Sequence, residues 1–192
     1  MTKATVGVLA LQGDFREHAA ILEECGARVV RVRLPEDLDG LQGLVVPGGE
    51  STTMSKLLTS SVLVEPLLEA IEHGLACLTT CAGTILAARE IRDGIPDQVS
   101  LDILDIVVRR NAYGRQLQSA EVSLEIPAVG TAPVPVAFIR APSIEEVGAG
   151  VEVLASYQEQ AAAVRQGAHI GLTFHPELTG DTRLHRLFLS AL

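Results

Sequence analysis

The spacing of apolar and polar positions changes several times along the chain, and each change predicts an element. Val6-Gly7-Val8-Leu9-Ala10-Leu11 is an unbroken apolar run, as expected of a parallel strand covered on both faces. Gln12-Gly13 turns the chain, and Asp14 stands where a helix N-cap belongs. The helix that follows runs to about residue 24, with Phe15, Ala19, Ala20 and Leu22 inward, and Gly26 stops it. Residues 28–32 give a second strand, 35–37 a polar connection, and 44–46 a third strand ending at Pro47-Gly48-Gly49. Strand, helix, strand, loop, strand predicts a parallel sheet with helices on both faces. Ser51 or Thr52 then caps a helix through Leu58, and a further helix spans 62–72 before the turn at His73-Gly74.

Leu75-Ala76-Cys77-Leu78 reads as a fourth buried strand, and residues 85–90 as a helix-forming run. Cys81 therefore falls on a sharp strand-to-helix bend, which lifts a side chain clear of the sheet's carboxyl edge. Small residues at Ala82 and Gly83 permit the tight turn. A helix N-terminus beneath the sulfur would stabilise negative charge on it. A buried cysteine acting as a small hydrophobe would give the same pattern. Residues 93–100 are a polar loop. After it come short strand-like pieces at 103–108, 121–126, 134–139, 151–156 and 161–165, predicted as antiparallel strands on one side of the main sheet. Residues 169–174 return to the core, and a closing helix takes 181–192. The expected class is α/β, a three-layer sandwich with a mostly parallel central sheet and added antiparallel strands, as one domain over 1–192.

Three further stretches carry candidate chemistry. His175-Pro176-Glu177 follows a strand, and proline holds its neighbour extended, so His175 and Glu177 project to the same side. That suits an imidazole that takes a proton from a thiol while a carboxylate orients it. A polar surface turn is the alternative. In Pro47-Gly48-Gly49-Glu50-Ser51-Thr52-Thr53, two glycines after a strand could turn N–H groups towards an oxyanion, or could form a plain capped turn. The glycine spacing is wrong for a phosphate loop. Arg109-Arg110-Asn111, Arg115 and Ile139-Arg140-Ala141-Pro142 offer guanidinium groups for a substrate carboxylate, or solvated loop charge.

Composition narrows the partners. The 192 residues are 47% apolar and 20% charged, enough apolar chain for a packed core. A net charge of −9 argues against nucleic acid as the main partner. Three cysteines, Cys25, Cys77 and Cys81, form no disulfide framework and suggest a reducing cytoplasm. Cys77 and Cys81 lack the spacing and neighbouring histidine of a zinc site, so no metal is expected. There is no signal-peptide shape and no apolar run long enough to span a membrane.

Taken together, these stretches resemble the class I glutamine amidotransferases, which place Cys before His-x-Glu as Cys81, His175 and Glu177 are placed here. Within that group the chain is similar to the glutaminase subunits of pyridoxal phosphate synthase, the PdxT/SNO family. The resemblance is carried by Gly7 to Gly13 with Arg16-Glu17-His18, Pro47 to Thr53, Thr80 to Gly83, Arg110-Asn111 with Gly114-Arg115-Gln116, Phe138 to Pro142, and Phe174 to Thr179. It implies a flavodoxin-like fold and hydrolysis of L-glutamine to glutamate and ammonia without a cofactor. It implies Cys81 as nucleophile, His175 as base and then acid, Glu177 as the group orienting it, and the N–H groups of Gly49 and Ala82 as oxyanion donors. It implies Gly49, Glu50, Ser51, Arg110, Ile139 and Arg140 as glutamine contacts. It also implies ammonia passing to a synthase subunit in a large closed hetero-oligomer, on the order of twelve of each subunit, with the helix bearing Arg16-Glu17-His18 as a candidate docking element.

Thr79 departs from the family pattern, which has glycine two residues before the nucleophile, and its β-carbon is expected to shift the strand–helix crossing modestly. The strand's approach, Gly74-Leu75-Ala76, departs as well. A PfpI-type cysteine hydrolase on a similar sheet, and a binding subunit with a decayed site, are the competing readings.

Overall fold

The computed structural model describes residues 3–110 and 119–192. Its first half follows the hydrophobic pattern: β1 (Thr5–Leu9), α1 (Phe15–Glu24), β2 (Arg28–Val32), β3 (Gly43–Val46), α2 (Ser51–Ser60), α3 (Val64–Glu72), β4 (Ala76–Thr80) and α4 (Ala82–Ala87). The second half holds β5 (Ala88–Arg92), β6 (Leu104–Arg109), β7 (Ser119–Leu124), β8 (Val134–Ile139), β9 (Ser143–Val147), β10 (Glu152–Tyr157), β11 (Gln160–Gln166), β12 (His169–Leu172) and α5 (Arg183–Leu189).

The main sheet runs β10-β11-β12-β4-β3-β1-β2. From β12 to β2 all pairings are parallel, while β11 and β10 add antiparallel strands at one edge. The parallel part has the doubly wound, flavodoxin-like order, in which ligands bind at the strands' carboxyl ends near the point where the winding reverses. Side chains alternate between the faces of each strand, so the core has two halves. Val6 and Val8 pack with Ala19 and Leu22 of α1 and with Leu184 and Phe188 of α5. Leu9, Leu44 and Val46 pack with Met54 and Leu58 of α2, Leu67 of α3 and Leu86 of α4. No helix among the described residues is long and apolar enough to cross a membrane.

Several local expectations are corrected. Ala20 is exposed, whereas His18 and Ile21 turn inward. Residues 88–90 are strand, not helix, although Arg89 and Glu90 favour helix. Pairing with β6 overrides that propensity, and Arg89–Asp105 at 3.3 Å and Arg92–Glu145 at 2.6 Å tie β5 to β6 and, across it, to β9. The later strands are not all edge additions to the main sheet. β5, β6 and β9 form a separate three-stranded sheet whose first pair is parallel, and β7 pairs with β8 alone.

The β4–α4 junction is a sharp bend at the carboxyl edge. Cys81 has φ 45° and ψ −106°, outside the regions that a residue with a β-carbon prefers. Such a conformation costs on the order of 1–3 kcal/mol and survives only where the surroundings impose it. Here the Cys81 N–H donates to the Leu172 carbonyl at 2.8 Å. Two residues further on, a β-carbon at Gly83 would lie 2.1 Å from the Val46 carbonyl oxygen, so only glycine lets α4 seat on the end of β3. The Thr84 hydroxyl donates to the Leu172 carbonyl at 2.7 Å and accepts from the Leu172 N–H at 3.2 Å.

Thr79 joins that staple: its hydroxyl lies 3.0 Å from the Thr84 hydroxyl and it is fully buried. Thr79→Gly removes a buried hydrogen bond and methyl and loosens a strand, an expected cost of about 2 kcal/mol. In a chain of this size that lowers Tm by roughly 4–8 °C. An unchanged or raised Tm would instead mean that the β-carbon crowds the crossing.

Candidate functional site

Six strand ends supply the site, with Arg110 following β6 and Ile139 and Arg140 at the end of β8. β1 leads into Gln12 and Asp14, β3 into Gly48 to Ser51, β4 into Cys81 and Ala82, and β12 into His175. They surround a pocket of ≈ 440 Å³ lined by, among others, Cys81, Ala82, His175, Gly49, Glu50, Ser51, Arg110, Ile139 and Arg140. Every site residue expected from sequence therefore faces this pocket except Glu177, which is buried behind His175. Asn111, Gly114, Arg115 and Gln116 lie outside the described residues. The sequence reading missed Gln12, Asp14 and Leu178, which also line the pocket.

The His175 backbone is pinned to β8: its N–H donates to the Ala137 carbonyl at 2.8 Å. The proline after it keeps the chain extended, and His175 Nδ1 donates to Glu177 Oε1 at 2.7 Å. A second carboxylate, Asp14 Oδ2, stands 3.3 Å from the same nitrogen. Asp14 therefore makes no side-chain cap on α1, contrary to expectation. Burial alone would lower the His175 pKa, but Asp14, Cys81 and Glu177 outweigh it and raise it. Burial would raise that of Glu177, but His18 and then His175 hold it below the usual carboxylate range. Asp14, His175 and Glu177 place one ligand atom each within 4.8 Å of one another. The 2.7 Å His175–Glu177 separation, however, is a direct hydrogen bond, closer than two ligands on one cation stand.

Cys81 is 6% exposed and its thiol donates weakly to the Ile139 carbonyl at 3.8 Å. Ala82 is the first residue of α4, so no preceding helical turn claims its N–H. The 48–50 loop is braced by the turn after β1: Asp14 N–H donates to the Gly48 carbonyl at 3.2 Å, and Glu50 N–H to Gln12 Oε1 at 2.8 Å. Gly48 is the close-approach glycine, since a β-carbon there would lie 2.2 Å from His175 Cε1.

Glu50, not Ser51 or Thr52, caps α2. Its carboxylate accepts from the Thr52 N–H at 3.0 Å and the Thr53 N–H at 2.7 Å. Burial would raise its pKa, but those donors take it down to about 2. Arg110 reaches across with Nη2 3.3 Å from Glu50 and 3.0 Å from the Thr52 hydroxyl. A carboxylate and a guanidinium at one end of a pocket match the two charges of an amino-acid zwitterion.

Behind the pocket lies a pair that sequence reasoning did not connect to the chemistry. Arg16 and Glu17 are exposed, but His18 is fully buried, with Nε2 3.4 Å from Glu177 Oε2 and 3.1 Å from the Thr80 hydroxyl. His185 of α5 is equally buried, its Nε2 2.9 Å from His18 Nδ1. A legible signal existed for His18: a polar residue one turn before Leu22, on the helix's apolar face.

A model of the SNO glutamine amidotransferase family matches residues 8–192. A relative in Clavibacter sepedonicus, named pyridoxal 5'-phosphate synthase subunit PdxT, is 55% identical over 96% of this chain and 88% of its own length. A protein of the same name in Frankia casuarinae is 52% identical over 100% of this chain and 96% of that one. A crystal structure described as a glutamine amidotransferase superposes with a TM-score of 0.91 at 48% identity, covering 97% of both chains. PurLQS from Thermotoga maritima, at 17% identity and a TM-score of 0.73, shares the fold.

Buried His185 makes the fold acid-sensitive. Burial, with His18 next in weight, depresses His185 from 6.5 to about 3. Below pH 6.5 the unfolded chain takes up a proton that the folded chain refuses, so stability falls as pH falls. The expected loss by pH 5 is about 2 kcal/mol. Denaturant titrations of wild type and His185→Gln at pH 7 and pH 5 measure it, and the variant should lack this component. Equal pH dependence in both proteins would contradict the assignment.

Proposed function

The chain belongs to the SNO glutamine amidotransferase family, and from that premise we propose which residues carry the reaction. The enzyme hydrolyses L-glutamine to L-glutamate and ammonia, and the ammonia is channelled to a synthase subunit that makes pyridoxal 5'-phosphate. The relatives' names favour this over the PfpI-type alternative.

In the proposed mechanism the Cys81 sulfur attacks the side-chain amide carbon of glutamine while His175 takes the thiol proton. Negative charge develops on the amide oxygen, where the N–H groups of Gly49 and Ala82 receive it. Each such donor contributes about 3–4 kcal/mol to the transition state. His175 then protonates the departing nitrogen, ammonia leaves, and a glutamyl thioester remains on Cys81. Water deprotonated by His175 attacks that thioester, and glutamate departs as the thiol is restored. Glu177 orients the imidazole and stabilises its charged form throughout.

Gly49, Glu50, Ser51, Arg110, Ile139 and Arg140 hold the substrate. Glu50 takes the α-ammonium group, which frees the Arg110 fork for the α-carboxylate. The observation that carries this reading is the buried His175–Glu177 hydrogen bond of 2.7 Å on the wall of the pocket that Cys81 lines.

Residues 1–192 act as one glutaminase domain. It docks on a closed synthase core with on the order of twelve copies of each subunit. Three unpaired cysteines suit a reducing cytoplasm. Ammonia released without a partner is wasted, so the oxyanion loop at Gly48-Gly49 takes its active setting on docking.

Glutamate release is measured with and without the synthase subunit. Wild type should turn over rapidly only in the complex, and Cys81→Ala should lose at least about 10³-fold. Equal activity of Cys81→Ala and wild type would refute the mechanism. Full activity without the partner would refute the docking requirement.

A further inference from the structure

The buried carboxylate of Glu177 has two oxygens to satisfy. Oε1 accepts from His175, whereas Oε2 finds no donor within ordinary hydrogen-bond reach among the described residues. An unserved oxygen on a buried carboxylate is costly, and it leaves the carboxylate free to rotate away from His175. The polar group beside it is His18 Nε2, at 3.4 Å, with both side chains fully buried. The same nitrogen stands 3.1 Å from the hydroxyl of Thr80, the residue before Cys81. His18 thus touches the supports of both ends of the proposed triad without lining the pocket.

We infer that His18 and His185 are positioning residues for the glutaminase reaction. His18 holds Glu177 Oε2 and the end of β4 in place, and His185 fixes which His18 nitrogen carries the proton. This rests on the glutaminase mechanism proposed above.

The proton positions follow from the neighbours. A bare Nε2 on His18 would point a lone pair at a buried carboxylate, so Nε2 carries a hydrogen. His18 Nδ1 and His185 Nε2 lie 2.9 Å apart, so one donates to the other. His185 Nδ1 is buried with no partner among the described residues. An orphaned N–H is rarer in folded proteins than an orphaned acceptor. The His185 hydrogen therefore sits on Nε2 and is donated to His18 Nδ1. Burial keeps His185 neutral near pH 7, in keeping with that tautomer. The result is a head-to-tail series in which His185 donates to His18, the His18 Nε2 hydrogen lies between the Thr80 hydroxyl at 3.1 Å and Glu177 Oε2 at 3.4 Å, and Glu177 accepts from His175.

Asparagine and glutamine separate positioning from packing. The Gln amide reaches the place of an imidazole Nε2, and the Asn amide only that of Nδ1. In the complex with the synthase subunit, glutamate formation is followed against glutamine concentration for wild type, Cys81→Ala, His18→Asn and His18→Gln. His18→Asn should lower kcat about 10–100-fold, the usual cost of losing a group that orients a catalytic ligand, and leave KM unchanged. His18→Gln should recover most of that loss. Equal kcat in the two variants, or a loss in KM rather than kcat, overturns the proposal. Should His18→Asn fail to fold, His185→Gln, which keeps a donor towards His18, is compared with His185→Leu, which removes it. Equal kcat values there would overturn it as well. An inactive wild type, or an active Cys81→Ala, would instead remove the mechanism on which the proposal rests.

Discussion

Cys81 must leave β4 with a positive φ, and most of the architecture near the carboxyl edge enforces that conformation. The Leu172 carbonyl of β12 takes its N–H, and the Thr84 hydroxyl ties α4 to the same residue. Gly83 lets the helix settle against β3. Strands β3, β4 and β12 are adjacent in the sheet, so one set of contacts fixes the bend and its distance from the residues after β12. The left-handed bend keeps the sulfur at the edge of the pocket and out of the core. The other cysteines lie elsewhere: Cys77 is sealed in the core and pushed up to about 12 by burial alone.

The second constraint is electrostatic. Glu177 places a carboxylate where water cannot reach, and such a charge persists only with partners. The fold supplies two imidazoles, one towards the pocket and one away from it. That arrangement lowers Glu177 and raises His175, and it couples α1, α5 and the end of β12 through one side chain. Asp14 adds a further carboxylate to His175 at 3.3 Å and leaves its helix uncapped to do so. Glu50 takes the reverse position and caps α2 at the pocket rim while holding Arg110. In both places the requirements of the site decide which acidic residue serves as a cap.

Much of this was readable from the chain. Apolar runs placed β1, β3 and β4 to within about two residues, because buried parallel strands carry little polar interruption. The elbow, the His-Pro-Glu end and the glycine loop each followed from local backbone rules, and they meet at one pocket. What could not be read depended on long-range partners. Arg89 and Glu90 favour helix alone and become strand only beside β6. The segment Ser143–Val147 shows no apolar run, and its pairing with β6 makes it β9. His185 looks like an ordinary helix residue until α1 and α5 are packed on the same sheet face, which brings it to His18, 167 positions away in sequence.

The central claim is that one thiol of three is activated by its surroundings, and covalent labelling tests it most directly. A glutamine-like chloroketone is added to the complex near neutral pH, and the modified peptide is located by mass spectrometry. The account predicts rapid, stoichiometric modification of Cys81, slowed by excess glutamine, with Cys25 and Cys77 untouched. Modification at Cys25, or an unreactive Cys81 in a complex that still hydrolyses glutamine, would contradict it.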